Sequence, residues 1–289
     1  MKKSLIALAA LAAFGTASAQ STVTLSGSYG FGAEKSAATA QGINQTNGAI
    51  AINAVEDLGG GLKLAASVNF DIDRERGDAP TGADRSITLT TGFGAFSLGN
   101  TRTATLLSGV VGGSTVADIY TRVATAQAEG DALGFTTKIG DVTVGLNHFG
   151  YEVAAGAART TSTLEANEAR ISYAVGPFAL TGSFLKHNGT STASRNELVG
   201  SYNAGVATVL LGFSDTSTDT DSANAIGVRV PVGAFNFNLG MAKKGTDKFT
   251  TYGADYSFSK TATLRAHFSI DDNAGTKVNG YRVQLVKAF

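Results

Sequence analysis

An all-β chain closed into a transmembrane antiparallel β-barrel is the fold this sequence predicts, and three observations predict it. The N-terminus carries an export segment. After it, apolar and polar residues alternate with period two through most of the chain, and no later apolar run approaches the roughly 18 residues of a membrane helix. Residues 1–19 read as a secretory signal peptide. Lys2 and Lys3 supply the positive charge, Leu5 to Phe14 an apolar stretch too short to span a bilayer, and Ala17-Ser18-Ala19 the small-residue cleavage site. Residues 20–289 then form a single barrel domain. A strand-built chain can cross a membrane only as a closed cylinder, because closure alone pairs every backbone N–H and C=O in lipid.

Composition agrees with many strands and tight turns: 36 glycines, 3 prolines and abundant Thr, Ser and Ala. Cysteine is absent, so an exported chain of this kind is held by hydrogen bonding and packing alone. Lysine plus arginine and aspartate plus glutamate both number 23, which leaves no basic face for nucleic acid.

The domain divides into about sixteen segments, or fourteen if two weak hairpins are loop. Short turns and longer polar stretches alternate between them, as periplasmic turns and external loops do in bacterial barrels. Thr22 to Gly32 sets Val23, Leu25, Tyr29 and Phe31 against Thr24, Ser26 and Ser28, and a polar stretch runs on through Asn47. Ile50 and Ile52 lead to the turn at Glu56 to Gly61, from which Leu62, Leu64, Ala66, Val68 and Phe70 alternate upward. Arg85 to Thr91 and Ala95 to Thr101 make a hairpin about Gly92-Phe93-Gly94. Residues 102–130 are the longest break in the alternation, and long irregular segments in compact domains are usually functional.

Leu133 to Ile139 and Val142 to Tyr151 form the next hairpin, and a loop follows through Leu164. In the second half Gly176-Pro177 and Pro231-Val232-Gly233 mark short turns, where proline's missing N–H is not required by a ladder. Ser214 to Ser222 is an acidic loop, and Asp271-Asp272-Asn273 ends the last long loop. In the closing strand, Tyr281, Val283, Leu285, Lys287 and Phe289 share one face, and Arg282 and Gln284 lie on the other. Several outward faces end in Tyr or Phe, as an aromatic girdle requires. Gly27 and Gly30 would permit either close contact between subunits or close approach within one barrel.

The stretch EDLGGGLKL (Glu56–Leu64), behind a VTLSG opening at Val23–Gly27, resembles the Gram-negative general porins of the β-proteobacterial type. The strand ending at Phe289 is similar to the C-terminal signal read by the barrel-assembly machinery. The resemblance implies sixteen strands, a homotrimer in the cell outer membrane, and a third external loop folded into the lumen, here residues 102–130. It also implies passive diffusion of small hydrophilic solutes and ions. A tryptophan-free girdle and a loop without a dense acidic run depart from the family pattern.

No catalytic set is expected. His148, His187 and His267 are the three histidines; His187 falls in a predicted loop, His148 is ambiguous in facing, and only His267 points inward. No serine elbow, metal-spaced pair or phosphate loop accompanies it, so neither cofactor nor metal is implied. The inward positions instead carry Lys63, Lys138, Arg170, Arg229, Arg265 and Arg282, against Glu34, Asp71, Asp73, Glu168, Glu197 and Asp255. These charges favour a wet interior over a dry sandwich core, where each would need a buried partner. Arg170, Arg265 and Arg282, with His267 nearby, are the candidate constriction residues, opposite Asp118 or Glu129. The competing expectation is that each arginine pairs with a wall carboxylate, Arg265 with Asp255 across the ladder if Phe258 opposes Ala262. A barrel with a blocked interior whose loops bind a partner, and a secreted soluble β protein, are the alternative readings.

Overall fold

A computed structural model describes residues 21–35, 40–72, 81–103, 105–112, 129–151, 165–188 and 193–289. The export segment therefore lies outside the described residues. The strands of the first half are β1 (Ser21–Lys35), β2 (Gly42–Gly59), β3 (Leu62–Asp71), β4 (Thr81–Thr91), β5 (Gly94–Arg102), β6 (Glu129–Ile139), β7 (Val142–Tyr151) and β8 (Ala166–Val175). Those of the second half are β9 (Phe178–His187), β10 (Ser194–Asn203), β11 (Thr208–Thr216), β12 (Ala223–Val232), β13 (Phe235–Lys244), β14 (Asp247–Ser259), β15 (Ala262–Asn273) and β16 (Thr276–Ala288). All sixteen join in one closed antiparallel barrel in which each strand pairs with its sequence neighbours and β1 pairs with β16.

Side-chain parity decides the two surfaces. In β1 Val23 is 69% and Leu25 61% exposed, and both stand on the outer wall with Tyr29 and Phe31. The same outward apolar set continues through Leu98, Leu133, Ile171, Leu211 and Leu285. In water such a surface would be an aggregation site; in a bilayer it is the solvated one. A one-residue slip would turn this set inward, so the register is strongly specified.

Aromatic side chains gather on the outer wall at the short-turn end. Phe93, Phe96 and Phe135 cluster, Phe178 meets Tyr202 at 4.7 Å, and Tyr256 touches both Phe235 and Phe258. Such ring pairs contribute about 0.5–1.5 kcal/mol each beyond area burial.

The short turns follow the glycine signals. At Gly176 φ is +53°, a conformation that costs glycine nothing and that its successor Pro177 cannot adopt. The external side departs from the expected pattern. The polar stretch before Asn47 is already strand from Gly42, and the last two external connections are two-residue turns instead of long loops. Asp271-Asp272-Asn273 is the end of β15, and Ala274 (φ 48°) with Gly275 (φ 94°) turns the chain directly into β16. Two successive positive φ values match the right-handed twist of a hairpin.

Closure is completed by the last residue. Tyr29 faces Lys287 and Phe31 faces Leu285 in the β1–β16 ladder, and Phe289 exchanges two 3.0 Å backbone hydrogen bonds with Gly27. A Cβ on Gly27 would lie 2.6 Å from the Phe289 ring, so this glycine serves approach within the barrel. Gly30 faces the lumen, toward Asn47 and Val286, and offers nothing to a neighbouring subunit.

Deleting Phe289 should cost about 2 kcal/mol or more, because two backbone bonds of about 1 kcal/mol each are lost and Gly27 is left unpaired at the rim. Urea unfolding in detergent micelles measures it. Ala274→Gly should raise stability by about 1 kcal/mol in the same assay, since a Cβ at positive φ is removed.

Candidate functional site

The lumen is the site, and strand parity builds its wall. Register puts Lys63, Lys138, Arg170, Arg229, Arg265, Arg282, Glu34, Asp71, Glu168, Glu197 and Asp255 on the inner side of their strands. Asp73 and Asp118 lie outside the described residues. Glu129 opens β6, in register with Arg102.

Two rows of partners cross β14, β15, β16 and β1. One runs Asp255, Arg265, Gln284, Gly32; the next runs Gly253, His267, Arg282, Glu34. Asp255 and Arg265 are direct neighbours as the alternation implied, although a bulge at Phe258 brings Ser259, not Phe258, opposite Ala262. Asp255 Oδ1 lies 2.8 Å from Nε2 of the buried His267 and 3.9 Å from Arg265 Nε. Arg282 Nε donates to Glu34 Oε2 at 2.7 Å, and Asn44 Nδ2 donates to the other Glu34 oxygen at 2.9 Å. Gly253 makes room for the imidazole, for a Cβ there would meet His267 Cδ2 at 2.8 Å.

Arg170 is not part of this group. It sits on β8, across the barrel from β15 and β16, in register with Gly145 and Ser183, and among the described residues it makes no ion pair. Glu168 beside it is buried and accepts from Ser183 Oγ and Asn147 Nδ2, both at 3.1 Å. Of the remaining histidines, His148 faces outward beside Leu133 and bonds Asn167 at 2.8 Å. His187, expected in a loop, is the last residue of β9.

Sequence reasoning missed a short helix, α1 (Leu106–Val110), inside the barrel. Arg102 ends β5, yet Leu107, Val110 and the following Val111 pack against β11, β12 and β13, so the chain has crossed the lumen to the far wall. The wall meets it with glycines. A Cβ on Gly212 would lie 2.6 Å from Leu107, one on Gly227 would strike the Val110 carbonyl, and one on Gly240 would lie 2.5 Å from Val111 Cα. Gly227 and Gly240 face each other across the ladder, which flattens the landing surface. Ala223, Ala225, Ala242, Leu210 and Phe249 complete an apolar cluster around the three side chains.

Each end of α1 is held by a wall charge. Thr105 makes no side-chain cap; the Glu197 carboxylate takes that place, accepting from Leu106 N–H at 3.2 Å, with Arg195 3.6 Å away. At the other end Arg229 Nη2 donates to the Gly109 carbonyl at 2.5 Å. A negative group at the N-terminus and a positive one at the C-terminus both oppose the charge of the helix ends. Burying Leu107, Val110 and Val111 contributes about 1.5–3 kcal/mol each, against an ordering cost of about 1–2 kcal/mol per residue. These terms nearly cancel, so the two end contacts tip the balance. Glycines at inward positions of three consecutive strands, opposite the apolar run Leu106 to Val111, were the signal that could have shown this.

The sequence matches the family model described as Gram-negative porin over residues 7–276. The chain belongs to the Gram-negative porin family. Solved porins share its fold. The anion-selective porin from Comamonas acidovorans is 20% identical, with a TM-score of 0.76 over 93% of this chain and 100% of that one. A mutant of Rh. blastica porin is 15% identical, with a TM-score of 0.73 over 93% and 100%. A loop-deletion mutant of OmpT, an outer membrane protein of Vibrio cholerae, is 17% identical, with a TM-score of 0.71 over 93% and 99%. No curated protein sequence matches the chain. This porin is thus an outer-membrane channel whose wall presents charge to water and hydrocarbon side chains to lipid.

Gly240→Val should displace α1 from the wall. Overpacking of this kind costs about 1–3 kcal/mol. A raised single-channel conductance in an otherwise folded barrel is the expected readout.

Proposed function

We propose that this porin carries passive diffusion of small hydrophilic solutes and ions, and that its narrowest part lies between residues 102–130 and the inner wall. The inner wall is the observation that supports this reading. Arg265, Arg282, Glu34, Asp255 and Glu168 all stand on it, while a charge on the lipid side near the midplane would cost about 2–4 kcal/mol. Polar walls of both signs suit solutes that keep their water.

In this reading Arg265, His267, Asp255 and Arg282 line one side of the narrows and Arg170 faces them from β8. Asp118 and Glu129 are the acidic groups of residues 102–130 that would oppose the wall. Since Arg282 pairs with Glu34 and Arg265 lies near Asp255, the transverse field is the small difference between neighbouring opposite charges. No chemical step is assigned to these groups; their work is orientation and sorting of what passes. We also propose that the porin assembles as a homotrimer and that the barrel-assembly machinery reads the strand ending at Phe289.

Liposomes carrying the purified protein should swell in monosaccharides and more slowly as sugar size increases. Absence of swelling at every size would end the channel reading. Replacing Arg170, Arg265 and Arg282 together by glutamine should move the reversal potential in a salt gradient toward cation preference. An unchanged anion-to-cation ratio would remove these three from the narrows.

A further inference from the structure

Charge on the inner wall is divided along the barrel axis. Within six residues of the short turns, the described inward charges are Lys63, Lys138, Arg170, Arg229 and Arg265, with Asp57 and Asp255 as the carboxylates. Both carboxylates are engaged: Asp255 by His267 at 2.8 Å, Asp57 by the Gly59 N–H at 2.9 Å with Lys63 opposite it in the ladder. Among the described residues Lys138, Arg170 and Arg229 have no carboxylate partner, and the Arg229 bond to the Gly109 carbonyl leaves its charge uncancelled. In the turns themselves Asp141 and Lys260 offset each other. All residues of the seven short turns are among the described residues, and the count is of those.

The opposite half differs in sign. Its described inward carboxylates include Glu34, Asp71, Asp84, Glu168 and Glu197, and among its described cations Arg102, Arg195, Arg282 and Lys244 each lie within 4.0 Å of a carboxylate. Short turns are the periplasmic end of a bacterial barrel. We propose that the periplasmic mouth is an anion-concentrating vestibule, which makes the channel's ion selectivity sided and gives small polyanions a point of entry from that end.

The magnitudes suffice. One unit charge about 10 Å away in water changes the local concentration of a monovalent ion about twofold, and low-dielectric walls focus the field further. Three uncompensated charges multiply that factor. Screening sets the conditions: the Debye length is about 10 Å at 0.1 M salt but about 3 Å at 1 M, so the sidedness belongs to dilute solution. The inference rests on the lumen conducting.

The test uses single channels of the full-length mature barrel in planar bilayers near 0.1 M salt, with a gradient imposed in each direction on the same channel. Gly92→Cys in a short turn, where a side chain meets open space, marks the periplasmic end for a membrane-impermeant thiol reagent in this cysteine-free chain. The anion-to-cation permeability ratio should be at least about twofold higher when the dilute solution bathes the marked end, and the difference should vanish near 1 M salt. In Lys63→Gln/Lys138→Gln the difference should shrink with conductance retained. Inorganic tripolyphosphate should block wild-type current at lower concentration from the marked end, a measurement independent of any charge variant. Equal ratios in both directions, or equal block from both ends, would overturn the proposal while leaving the channel intact. A wild-type barrel that does not conduct would overturn the channel reading and this proposal with it.

Discussion

Everything in this molecule follows from the need to pair backbone hydrogen bonds in a medium that offers none. A sheet in lipid cannot leave an edge, since each unsatisfied N–H or C=O costs several kcal/mol. Sixteen strands meet that requirement only through the β1–β16 seam, and the seam runs to the last residue, where Phe289 and Gly27 exchange both backbone bonds. Aromatic and aliphatic side chains on the outside stabilise the barrel in its bilayer, but they do not determine that it closes.

Closure inverts the usual arrangement of a soluble protein. The apolar side chains face outward, and the interior is polar. Buried apolar contacts inside the barrel are therefore exceptional, and the larger of the two clusters among the described residues holds α1 and Val111 against the wall. The attachment combines a glycine surface with a carboxylate at one helix end and a guanidinium at the other. A five-residue helix has little stability of its own. Its place is set by the wall that receives it, whose contacts come from β10 to β13.

The wall charges show how local pattern and ring geometry divide the work. Arg265 was expected opposite Asp255 only if Phe258 opposed Ala262; the ladder pairs them although Ser259 takes that place, because both belong to one hairpin. Glu34 and Arg282 are 248 residues apart and meet only because the ring closes between them. Arg170 shared the residue type and inward parity of Arg265 and Arg282, yet stands on the opposite side of the lumen. Strand height could be read from distance to the nearest turn. Azimuth could not, since it depends on how many strands lie between. The short turn at Ala274-Gly275 escaped notice for a different reason: the acidic residues before it look like loop, but in a wet lumen Asp271 is an ordinary strand residue.

By itself the sequence determined the two faces of each strand, the short turns at one end, and a closing strand with an aromatic terminus. These are period-two and glycine effects that act over a few residues. Only the tertiary structure decided which arginine meets which carboxylate, that residues 106–111 cross to the far wall, and that His267 meets Asp255. Those outcomes depend on the circumference and stagger of a closed ring. Such quantities are summed over all sixteen strands, and no single segment encodes them.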